Sequence, residues 1–156
     1  MPSLNHPFAA LEREGSIERV GPDAGEVARL HAVVDRDRAT AEYLRTRDHD
    51  WTLAIVYNGM LQACQALMAA YGYRSRGDHQ HRTSIEFVRI ALPGHVTLLD
   101  RLDRIRSERN RTVYDVAGQT TQEEMEDALT LAADLIPILK AAALKELQGL
   151  THGPLA

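Results

Sequence analysis

Between Arg104 and Asp115 the sequence reads RIRSERNRTVYD, four arginines in eight positions followed by Asn110, Thr112, Tyr114 and Asp115. Such a set suits phosphate. A guanidinium donates two parallel hydrogen bonds to one anion, and a phenol adds a donor or a face for stacking on a base. On an ideal helix Leu98, Leu102, Ile105 and Arg109 share one stripe, which puts Arg109 on the apolar face with Arg104 and Arg111 opposite. Arg109 must there meet an acid, a partner chain or an anion, because an unpaired buried charge is prohibitively costly. Tyr114 follows Arg109 at an angular offset of about 140° on a regular helix. The two converge only where the helix ends or bends between them, or where two copies of the chain meet across a dimer axis. The β-branched pair Thr112 and Val113, with Gly118 beyond, favours a helix end here.

Other reactive residues are sparse. His79 and His81 stand beside Arg82 in GDHQHRTS. Spaced i, i+2 without cysteine or paired carboxylates, they do not make a metal set, and neither metal nor other cofactor is expected. His31 and His95 read as ordinary surface or interhelical residues. No glycine-rich phosphate loop, His-Glu-x-x-His or nucleophile elbow occurs. The single cysteine, Cys64, falls in an apolar helical pattern and reads as a buried hydrophobe. Net charge is −4, which argues against indiscriminate coating of nucleic acid. That average conceals a segregation. From Arg74 to Arg111 nine arginines face five acids, a net +4 that leaves −8 on the rest of the chain.

The elements that must position these groups are helical. The chain has 156 residues, enough for one domain whose core needs no disulfide or metal. Residues 1–22 read as a short helix (Phe8 to Glu14) and a loop; MPSLNHPFAALEREG lacks the pattern of a secretory signal. Asp23 and Glu26 form a capping box for a long amphipathic helix bearing Val27, Leu30, Val33, Val34, Ala41 and Leu44. RTRDHD breaks it, with Asp48 or Asp50 as the next cap. WTLAIVYNGMLQACQALMAAYGY is apolar nearly all round, as the central helix of a bundle is, and Gly72 closes it. A membrane span is the poorer reading, and a cytoplasmic protein with no membrane partner is expected. RSRGDHQHRTSIE reads as a loop in which Thr83 or Ser84 caps a short helix through Leu92, stopped by Pro93 and Gly94. A further helix runs from Val96 into the arginine stretch. Thr121 and Glu124 open the last one, which continues to about Leu147 with a kink expected at Pro137. Residues 148–156 read as a frayed tail. Nothing alternates with period two for long. The fold class is therefore all-α, a bundle of four main helices plus shorter ones over residues 23–147.

On these elements RNRTVYD resembles the signature of the HEPN domain superfamily, in which an Arg, usually followed by Asn, precedes a His after four to six residues. It matches the RNxxxYD form of a subset of small prokaryotic members. AIVYNGMLQACQALMAAYGYRSRG resembles that subset's second core helix, and HQHRTSIEFV the His-Thr-containing start of its next helix. The likeness spans roughly Asp23 to Leu147 and implies an up-and-down bundle, a homodimer with both motifs on a shared groove, and RNA or a nucleotide as ligand. Many such proteins are metal-independent endoribonucleases, including toxins paired with an antitoxin protein; others are non-catalytic. By this resemblance Arg109 and Asn110 hold the phosphate with Arg106 nearby, Arg109 and Tyr114 are catalytic, and Asp115, His81 and Arg82 support them. Tyr114 stands where the nucleases carry His. An unperturbed tyrosine is ionised about once in a thousand at pH 7, so phosphate binding survives the replacement better than catalysis. The competing expectation is a non-catalytic dimeric interaction or regulatory module in which Arg109, Asn110 and Asp115 knit the bundle together.

Overall fold

The computed structural model describes residues 6–115 and 120–151, with backbone alone for residues 110–115 and 151. It is an all-α bundle. The four long helices are α2 (Ala24–Leu44), α3 (His49–Tyr71), α5 (Val96–Asp115) and α6 (Gln122–Thr151), joined by short α1 (Ala9–Arg13) and α4 (Gln80–Ala91). Local chemistry sets the starts. The Asp23 carboxylate accepts the Glu26 amide at 2.9 Å, and the Thr121 hydroxyl accepts that of Glu124 at 3.1 Å. Asp48, not Asp50, caps α3, accepting the Trp51 amide at 2.9 Å. Asp50 instead accepts the Thr120 amide at 3.1 Å and ties α3 to the entry of α6.

α3 is the axis of the bundle. Met60, Leu61, Cys64 and Leu67 are fully buried. α2 and α6 pack along the helix, with α4 and α5 touching it more lightly. It is long and apolar enough to cross a membrane, but 67% of its most apolar window is buried in the bundle, so those side chains are core. Gly72 ends it in the left-handed region at φ 90°, where a Cβ would meet the Pro22 nitrogen at 2.9 Å.

Four expectations need correction. The stretches read as loops around residues 17 and 74 contain an antiparallel pair, β1 (Ile17–Arg19) with β2 (Tyr73–Ser75), in the register Ile17↔Ser75. Three-residue strands are too short to show alternation. They enclose a second small core in which Phe8 stacks on Phe87 at 4.1 Å. α4 starts at Gln80 rather than at Thr83 or Ser84, which are buried within it; the Ser84 hydroxyl donates back to the Gln80 carbonyl at 2.8 Å. α6 runs past Leu147 to Thr151 with Pro137 inside it. α5 is helical without a break to Asp115, so no helix end separates Arg109 from Tyr114. The 116–119 segment of VAGQTT, the tail after residue 151, and the side chains of Asn110, Tyr114 and Asp115 lie outside the described residues.

Candidate functional site

The site is built where α5 crosses α3. Leu99 and Leu102 of α5 are fully buried, and Leu98 and Ile105 pack against the core beside them. That stripe delivers Arg109, half-buried, to the ring of Tyr57, with its guanidinium carbon 5.0 Å from the ring centroid. A partner for the stripe arginine is thus an aromatic face, a solution in which the ring's quadrupole attracts the cation without neutralising it. Tyr57 comes from mid-α3 and is only 1% exposed.

The first turn of α4 supplies the next group. The His81 ring meets Tyr57 edge-on at 5.9 Å, with His81 Nδ1 3.5 Å from the Tyr57 hydroxyl, at the long end of a hydrogen bond. His81, Arg82 and Arg106 line a solvent-open hollow of about 450 Å³ together with Asp78, His79 and Gln80. Arg106 is held there by Asp103 at 2.8 Å, one turn back on α5. The structure therefore brings Arg106, Arg109, His81 and Arg82 to one region. Tyr57, which joins them, was not among the expected site residues, because nothing in an all-round apolar helix distinguishes a site tyrosine from a core one.

Electrostatics sharpen the arrangement. Burial, then the positive charges of Arg109 and Arg106, push the His81 pKa below the usual histidine value, so the ring is neutral at pH 7. Burial pushes the Tyr57 phenol up to about 12, outweighing the two arginines that act the other way. Tyr57 therefore keeps its proton, and its hydroxyl faces His81 Nδ1 in a contact whose donor is set by the imidazole tautomer.

The other flank of α5 differs. There Arg101, Arg104 and Arg109 line a hollow of about 360 Å³ with Glu108, Glu124 and Asp127, so cations and acids balance. The flank shared with α4 sets Arg82 and Arg106 against Asp78 and Asp103, with Arg109 reaching the Tyr57 ring between the two flanks. Among the described residues no three His, Cys, Asp or Glu side chains group as metal ligands. Burial raises the Cys64 thiol to about 12, which makes it inert as a nucleophile. Comparison of the chain with protein-family models, with curated proteins and with solved structures finds no match.

Proposed function

We propose that this chain is an HEPN-like cytoplasmic protein that binds the phosphate of RNA or a nucleotide at the groove between α3, α4 and α5, and that it acts as a homodimer. The observation that carries this reading is the convergence of Arg106 and Arg109 on neutral His81 and buried Tyr57. The guanidinium of Arg106 supplies donors beside the hollow, and the His81 imidazole lines it. Tyr57 holds the imidazole and supports the Arg109 cation from below.

Metal-independent endoribonuclease activity of toxin type, with an antitoxin protein as partner, is the enzymatic form of the reading. Cleavage would form a bond from the 2′-oxygen to phosphorus, break the bond to the 5′-oxygen, and leave a cyclic phosphate. The 2′-hydroxyl proton needs an acceptor, and the 5′-oxygen needs a proton. The second reading is a non-catalytic dimeric module that binds phosphate without cleaving, in keeping with Tyr114 standing where the resembled nucleases carry His.

Incubation with a labelled RNA pool in the presence of a chelator, wild type beside Arg109→Ala, separates the forms. The nuclease form expects cleavage lost in the variant. Equal cleavage by both proteins sinks it, and binding without cleavage selects the non-catalytic module.

A further inference from the structure

A cavity of about 490 Å³ lies along α3 beyond the arginine groove, enclosed by the start of α2 and by β2. Gln80 lines both this cavity and the groove, so the two adjoin. Their linings differ in chemistry. The groove is basic. The cavity has an apolar floor of Leu30, Met68 and Ala69, and a polar wall that includes Gln65, Gln80 and Ser75. Asp23 and Glu26, the latter paired with Arg29, line its α2 side and Arg74 its β2 side, so the lining carries no excess of positive charge for a phosphate. Gln65 is the informative residue. It sits half-buried on the most apolar helix of the chain and lines the cavity, and its side chain carries an amide with both donor and acceptor.

We infer that this cavity is a nucleobase subsite, taking an unpaired adenine-like base whose strand or nucleotide carries its phosphate toward Arg106 and Arg109. Size, polarity and edge chemistry agree on that ligand. The volume falls within the range of small-molecule sites. A base is flat and apolar on its faces, which suits a lining that includes Val20, Leu30, Met68 and Ala69. Its edge carries adjacent donors and acceptors, which a glutamine amide pairs bidentately in the case of adenine. Eight residues of α3 separate Tyr57 from Gln65, a rise of about 12 Å. The base so held thus neighbours the phosphate at Arg109 along the groove. The inference rests on the phosphate reading for its orientation, but the cavity's affinity for a base is separable from it.

The test uses the full chain, titrated with adenosine, adenosine monophosphate, a 2′-O-methyl oligoadenylate and an abasic strand of the same length. Gln65→Leu preserves helix propensity and lies outside the lining of the phosphate groove. It is expected to weaken oligoadenylate binding about tenfold, to shift adenosine out of reach, and to leave abasic binding unchanged. Equal affinity of wild type for oligoadenylate and the abasic strand overturns the subsite and leaves the phosphate reading standing. Adenosine bound at Gln65 with neither strand bound supports the subsite and sinks the phosphate reading. Tighter binding of monophosphate than oligomer identifies a free nucleotide as the source of the base, and the reverse identifies RNA.

Discussion

α3 and α5 meet at Tyr57 and Arg109, yet the bundle holds them by different means. α3 is buried over most of its length past Trp51, and its Asn58 amide donates at 2.8 Å to buried Asp37 of α2, which is also paired with Arg36. α5 is fastened by Leu98, Leu99, Leu102 and Ile105, and beyond them carries charge. One helix supplies much of the core and the other carries the arginines of the candidate site. Half-buried Arg109 places its guanidinium carbon 5.0 Å from the Tyr57 ring centroid, a cation–aromatic contact that joins α5 to α3.

That contrast sets the order of expected effects. Leu61→Ala on α3 should cost about 3 kcal/mol, and Ile105→Ala on α5 about 1 kcal/mol, by urea denaturation. Equal losses would mean that α5 is as deeply fastened as α3. Asn58→Ala removes a donor from buried Asp37 and should cost about 2 kcal/mol by the same measurement. Arg109→Ala should change stability by less than about 1 kcal/mol while lowering RNA affinity about tenfold. A large stability loss with affinity retained would instead make Arg109 a structural residue.

The smallest effect is one of pH. His81 has a folded pKa below its unfolded value, so the folded state is penalised as pH falls through the ordinary histidine range and is free of that penalty above it. A bound phosphate reverses the balance by favouring the imidazolium. RNA affinity should accordingly rise several-fold from pH 8 to pH 5.5, and His81→Ala should flatten the part due to this ring. Asp78, His79 and Asp103 lie nearby and are common to both proteins in that comparison. A profile unchanged in the variant would remove His81 from the site.

Much of this was legible in the sequence. Asp23, Asp48 and Thr121 each occupy a cap position that their short polar side chains favour, and the three-and-four spacing carried the α5 stripe to Arg109. The two short strands were not legible, because three residues carry no alternation and their pairing spans more than fifty positions. The start of α4 was missed because His79 caps it without a side-chain hydrogen bond, leaving Thr83 and Ser84 as false signals. Tyr57 was missed as a site residue because its role depends on what α4 and α5 bring to it. Only contacts distant in sequence distinguish it from its apolar neighbours.

The central claim is that Arg109 and its neighbours meet phosphate. RNA affinity measured across a range of salt concentrations, for wild type and Arg109→Ala, tests it most directly. Each phosphate contact releases condensed counterions, so wild-type affinity should fall steeply with salt, and the variant's slope should be shallower by about one contact. Identical slopes and affinities for the two proteins would contradict the claim.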